Sequence, residues 1–256
     1  MINVASSAQI SIITVCFNSA STIEKTIKSV INQDYKNIEY IIIDGSSVDG
    51  TQNIIAQYKD KITTVISEPD TGIYDAMNKG IKIATGDWLF FLNSGDIFFN
   101  STTLSKIAPQ LNNDFVLVFG DIVLANLDNS TTYIPQRHIT NLAGIIIGVC
   151  HQAVFFSTQI NKELLFYSKN LKYCSDLETL LKIENYYSKK KIKKIDIPIC
   201  YYLSGGLSDT NLNIVLDERK RIINSFYKRY SIKWVLNRLN LFRQHLKYTS
   251  KKVKFE

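Results

Sequence analysis

Through its first hundred residues the chain repeats one unit: an apolar run of strand length, then a segment with helical spacing. Near-continuous apolar runs belong to strands buried on both faces, and a helix between two of them is the crossover that parallel strands need. The runs cover residues 10–15, 38–43, 63–67 and 88–92; helices are expected over residues 20–33, 50–59 and 74–84. In the first helix Ile23, Ile27, Val30 and Ile31 share one face, and Ser19 or Ser21 suits its N-cap. Strands one, two and four each run straight into small polar residues: Cys16-Phe17-Asn18, Asp44-Gly45-Ser46 and Asn93-Ser94-Gly95-Asp96. The carboxyl ends of strands line the ligand crevice of an open α/β sheet, so three such turns at one edge point to a site.

The second half is less regular. Strands are expected over residues 115–119, 153–156 and 195–203, with helices over 175–186, 209–230 and 232–247. No internal repeat or low-complexity linker divides the chain, so the one boundary is compositional, between residues 1–208 and a basic helical extension, 209–256. From Arg219 to Glu256 there are 12 Lys or Arg and one acidic residue, whereas the remainder holds 18 basic and 22 acidic residues. Basic residues interleaved there with Phe226, Tyr227, Tyr230, Trp234 and Phe242 read as an amphipathic element for an anionic membrane surface; a helix packed on the domain is the plainer reading, and both are compatible. Nucleic acid is not expected as a partner, because no nucleic-acid-binding motif accompanies these cations. Cys16, Cys150, Cys174 and Cys200 form no CxxC pair and suit reduced core thiols of a cytoplasmic protein. The first residues lack the charged-then-apolar pattern of a signal peptide, and no apolar stretch is long enough to span a bilayer.

Two phosphate-binding fingerprints fail. Val15-Cys16-Phe17-Asn18-Ser19-Ala20 stands where a GxGxxG would follow strand one, and no GxxxxGKS or GxxxxGKT occurs. A nucleotide diphosphate can instead be held through a divalent cation, which takes hard oxygen ligands such as Asp96. Taken together, SIITVCFNSASTIEKTIKSVINQ, EYIIIDGSSVDGT, SEPDTGIYDAMNKGIKIATGDWLFFLNSGD and CHQAVFF resemble the family-two glycosyltransferases, inverting enzymes of the GT-A fold that use nucleotide-activated sugars. The resemblance runs from Ser11 to about Asp209. The stretch from Ser67 to Asp96 is most similar to the bacterial subgroup that builds O-antigen, capsule or colanic-acid-like exopolysaccharide.

The resemblance implies a Rossmann-like, mostly parallel α/β sheet flanked by helices, with the basic helical extension behind it. It implies a UDP-sugar donor, a saccharide acceptor carried on a polyprenyl diphosphate, and a protein bound peripherally to the inner face of the cytoplasmic membrane. Asp44 matches the acceptor for the uracil N3–H, a role that suits an ionised carboxylate. Val15 and Phe17 match positions around the uridine, and Ser46 lies in the same nucleotide-binding turn. Asp75 falls in the segment bordering the nucleotide, where an i,i+4 ion pair with Lys79 is the alternative; Met77 stands where many members carry Arg. After strand four the usual Asp-x-Asp is reduced to Asp96, the expected ligand of Mn²⁺ or Mg²⁺, with Asn93 and Ser94 toward the donor sugar. His151 and Gln152 match a stretch lining the sugar pocket. Asp176 is the expected catalytic base, with Glu178 second, and Ser204-Gly205-Gly206-Leu207-Ser208 resembles a loop that closes over the donor. Asn93 and Gly95, standing where carboxylates are usual, keep a second reading open: a catalytically degenerate sugar-nucleotide-binding protein. A nucleotidyltransferase would want a GxGxR-like loop, which the chain lacks.

Overall fold

The computed structural model describes residues 8–126, 130–140, 148–203 and 211–252, with side chains placed to residue 245. Strands β1 (Ile10–Cys16), β2 (Ile38–Asp44), β3 (Thr64–Ser67) and β4 (Trp88–Phe91) pair in parallel in the order β3-β2-β1-β4. Helices α1 (Ile23–Ile31), α2 (Thr51–Ala56) and α3 (Ile73–Ile83) are the crossovers. Cys16 lies opposite Asp44, and Asp44 opposite Ser67, so these three strands end level.

The chain continues through β5 (Ile97–Phe98), α4 (Thr103–Ile107), β6 (Leu117–Ala125), β7 (Thr131–Ile134), β8 (Val154–Ser157), α5 (Lys162–Leu165), α6 (Ser175–Tyr186), β9 (Ile192–Leu203), α7 (Leu212–Phe226) and α8 (Ile232–Lys252). Beyond β4 the sheet runs β8-β6-β9-β5, with β8 antiparallel to both neighbours and β9 parallel to β6; β7 pairs with β6 off this path.

Every residue of β1 and β4 is buried, because the sheet is covered on both faces. Alternation sends Ile13, Ile41 and Phe91 to a core under α3 and α6, and Ile12, Ile42 and Phe90 to a second core under α1 and α4. Phe90 stacks on Phe155 at 4.4 Å between ring centroids. A Cβ on Gly80 of α3 would lie 2.5 Å from Ile13 Cγ2, so this glycine sets how closely α3 approaches the sheet. On the far side, α7 contributes Val215 and Ile222 to the first core, while its Leu216 and Ile223 meet Leu241 of α8.

Several expected details differ. Neither Ser19 nor Ser21 caps α1: the helix starts behind Thr22, the Ser19 carbonyl accepts from the Thr22 and Ile23 amides, and the Ser19 hydroxyl turns back to the Phe17 carbonyl. The second helix stops at Ala56 and passes into a 3₁₀ turn over Lys59–Lys61. Strands β6 and β9 are longer than their apolar runs because each completes the other's ladder, across a bulge where a Cβ on Gly120 would lie 2.4 Å from the Ile197 carbonyl oxygen. The glycine-paired loop at 204–208 and the start of the helix expected from residue 209 lie outside the described residues. No helix among the described residues is long and apolar enough to cross a membrane.

Candidate active site

The turns after β1 and β2 are stitched into one unit. Asp44 is fully buried, and its carboxylate accepts from the Ser47 amide (3.1 Å), the Ser47 hydroxyl, the Ser67 hydroxyl (2.7 Å) and the Cys16 thiol (3.6 Å). Burial, and then the Asp44 charge, push the Cys16 thiol far above its ordinary range. The Asn18 amide donates to Ser47 Oγ at 2.8 Å, the Val48 amide to Asn18 Oδ1 at 3.0 Å, and the Ala20 amide to Asp49 at 2.9 Å. Asn18 and Ser46 both adopt positive φ, 47° and 62°, a strained conformation that this network holds in place. Phe17 projects from the unit, 62% exposed, while Val15 is buried in the core beneath it. Asp70, which sequence reasoning passed over, reaches Gly45: a Cβ there would lie 2.6 Å from Asp70 Oδ2 and 3.3 Å from the Phe17 ring. Its only sequence signal is an acidic residue three positions beyond β3.

Asp75, at the start of α3, does not pair with Lys79. Its carboxylate meets Lys169 Nζ at 2.5 Å and accepts from the Thr71 amide, and the Lys169 bond above all holds its carboxyl down to about 2. Lys79 turns instead to Glu68 (2.8 Å) and the Pro69 carbonyl (2.7 Å), because the segment before α3 folds back over it.

The turn after β4 meets the second half of the chain in one connected line. Asp176, in the first turn of α6, accepts from the Tyr74 hydroxyl of α3 at 3.0 Å and lies 3.2 Å from His151 Nδ1. A carboxylate only accepts, so Nδ1 donates to it; Nε2 on the other side of the ring lies 3.3 Å from the Asn93 side-chain nitrogen. Burial raises the Asp176 carboxyl, but His151 and the donors from Leu177 and Tyr74 outweigh it and hold the group below the ordinary carboxylate range. Asn93 Oδ1 is buried without a hydrogen-bond partner. Ser94 is turned toward α1, its hydroxyl 3.0 Å from that of Thr22. Glu178 stays apart, paired with Lys182 at 2.7 Å on the same helix.

Asp96 is buried and takes the Leu203 amide at 3.1 Å; burial pushes its carboxyl up to about 7, which the bonds from Leu203 and Gln152 and the nearby His151 only partly offset. Gln152 also accepts from the Cys150 thiol at 2.8 Å. Among the described residues no group of three or more His, Cys, Asp or Glu stands ready for a metal ion. What is present fits a hard divalent cation bound largely by substrate phosphates: one carboxylate whose burial no lysine or arginine compensates, and an amide oxygen without a partner.

One functional element had no signal near the site. Glu218 of α7 is buried, and its carboxylate accepts the amides of Lys172 (2.6 Å), Tyr173 (2.9 Å) and Cys174 (3.0 Å), the three residues leading into α6. The helix that carries Asp176 is thus anchored from the C-terminal part of the chain.

A mixed sheet with polar turns at the carboxyl ends of its parallel strands, and a carboxylate from a later helix joined through His151 to the turn after β4, has the GT-A fold. Solved structures share this fold: S. aureus TarS in complex with UDP-GlcNAc superimposes with a TM-score of 0.69 at 20% identity, over 84% of this chain and 65% of that one. The mannosyltransferase PcManGT from Pyrobaculum calidifontis, in complex with GDP-Man and Mn²⁺, gives 0.61 at 14% identity, over 86% and 63%. The chain thus spans just under two thirds of these solved chains. The sequence profile of the glycosyl transferase family 2 matches residues 11–176, and the chain belongs to that family. An uncharacterized glycosyltransferase of Mycobacterium tuberculosis is 34% identical over 182 residues, 69% of each chain. A PGL/p-HBAD biosynthesis glycosyltransferase of Mycobacterium bovis is 30% identical over 153 residues, 57% of this chain and 58% of its own.

Proposed function

We propose that the protein is an inverting hexosyltransferase that moves a hexose or N-acetylhexosamine from a UDP-sugar to a saccharide acceptor on polyprenyl diphosphate. Its setting is bacterial surface polysaccharide synthesis, as O-antigen, capsule or exopolysaccharide, at the inner face of the cytoplasmic membrane. The observation that carries this reading is the line Tyr74–Asp176–His151–Asn93, which joins a carboxylate to the turn after β4.

In the transfer, the acceptor hydroxyl oxygen bonds to the anomeric carbon as the bond to the diphosphate oxygen breaks on the opposite face. Asp176 takes the hydroxyl proton; its depressed pKa keeps it ionised at neutral pH, and its bonds to His151 and Tyr74 fix its direction. Phe17, Ser46, Asp44 and Asp75 belong to the nucleotide side, Ser94, His151 and Gln152 to the sugar side. Asp96 and the free Asn93 oxygen would hold Mn²⁺ or Mg²⁺, which when bound neutralises charge growing on the diphosphate.

Calorimetric titration with UDP, GDP and ADP, with Mn²⁺ and with chelator, tests the donor class. UDP binding that needs the cation supports the proposal, and preference for GDP or ADP refutes the donor. The second reading, a sugar-nucleotide binder without catalysis, is favoured by Asn93 and Gly95 standing where carboxylates are usual; UDP-sugar binding with no hydrolysis or transfer would establish it.

A further inference from the structure

Helix α8 carries two apolar faces, and the fold uses one. Leu241 and Asn237 are buried, and Leu241 and Trp234 pack against Leu216 and Ile223 of α7. On another side of the helix Ile232, Val235, Leu239 and Phe242 stand 79%, 40%, 50% and 59% exposed. Their spacing of three, four and three places them within an arc of about 80° at 3.6 residues per turn. The flanking positions are cationic. Arg238 lies on one border, its guanidinium 5.5 Å from the Trp234 ring, and Arg243 on the other, with Lys233 beyond it. Just before the helix, Tyr230 is 71% exposed with Arg229 5.0 Å from its ring.

An apolar row bordered by cations on both sides calls for a partner that is flat, apolar inside and anionic at its surface. A second copy would bring its own strongly basic segment against this one, 12 Lys or Arg to one acidic residue from Arg219 onward. A nucleic acid would want the cations central and the apolar row elsewhere. An anionic bilayer meets both demands: the row enters the acyl boundary while arginine and lysine remain among the headgroups.

We infer that α8 is the membrane-docking face of this protein, with Ile232, Val235, Leu239 and Phe242 inserted and Lys233, Arg238 and Arg243 on lipid phosphates. The inference gives a surface to the lipid-linked acceptor of the proposed function and rests on that reading for its purpose, not for its geometry.

The test is co-sedimentation of the full chain with phosphatidylcholine vesicles, with and without phosphatidylglycerol, alongside UDP titration of each protein. The wild type is expected on the anionic vesicles only. Leu239→Glu with Phe242→Glu should weaken that partition roughly tenfold or more, and Lys233→Gln with Arg243→Gln several-fold, both leaving UDP affinity unchanged. No vesicle binding, or binding indifferent to the Leu239/Phe242 pair, overturns the inference. So does a self-association that the same pair abolishes, which would make a second copy the occupant. Vesicle binding by a wild type that ignores UDP would instead sink the donor assignment and leave the docking face standing.

Discussion

Glu218 offers the sharpest physical test of how the site is held. Glu218→Ala removes the acceptor of three consecutive amides, those of Lys172, Tyr173 and Cys174. A hydrogen bond to a charged group contributes about 1.5–3 kcal/mol, and a buried donor left unpaired costs about 1–3 kcal/mol. Lys172 is exposed and its amide can turn to water, so two donors count in full and the expected loss is about 3–5 kcal/mol. Against a typical total of about 5–15 kcal/mol the variant stays folded but soft. Glu218→Gln keeps one carbonyl acceptor and opposes an amide with an NH₂, so about half that loss is expected. Urea unfolding reads the stability, and hydrogen exchange at residues 172–174 reads the local opening. Because Asp176 follows directly, Glu218→Gln should also lower kcat with UDP affinity within about twofold, since the turns proposed to hold the nucleotide lie elsewhere. An alanine variant within about 1 kcal/mol of wild type, with exchange at 172–174 unchanged, would refute the anchoring argument.

Asp176→Asn should cut transfer by about a thousandfold while UDP affinity stays within a few fold; retained transfer would remove it as the base. Asp96 makes a pH prediction. With its folded pKa near 7 and an ordinary unfolded one, the native state holds the extra proton between about pH 4 and 7. The Asp96 contribution is therefore fully present below that window and is lost as pH rises through 7. In chelator, the stability of wild type relative to Asp96→Asn should fall across this range by a few kcal/mol, and a flat difference would contradict the pKa assignment.

How much of this was legible in the sequence depended on distance along the chain. The parallel half is legible because β1, β2 and β4 are mostly apolar and each crossover is local, so burial on both faces leaves a direct trace in these three strands; the half-exposed β3, Thr64–Ser67, leaves a weaker one. Asp176 and His151 were singled out, but not their contact, which needs two elements from separate parts of the chain to meet. Tyr74 carries no local signal of its role, since nothing nearby tells a core tyrosine from one that bonds a carboxylate 102 residues later. Glu218 was invisible for the same reason, and its acidic side chain reads locally as a solvated helix position. The Asp75–Lys79 pairing failed because i,i+4 spacing proposes a partner on the same helix, while Lys169 and Glu68 competed from outside it.

The short strand β5 has a consequence for the order in which the protein is made. Strands β1 to β4 come from one continuous early stretch and find all their parallel partners within it, so the turns after β1 and β2 can form while the rest of the chain is still being synthesised. Ile97 and Phe98 wait for Tyr201 and Cys200, and Asp96 waits for the Leu203 amide. A nascent chain thus sets the turns after β1 and β2 well before the turn after β4 is fixed. β9 then enters between β6 and β5 and brings the Leu203 amide that Asp96 accepts.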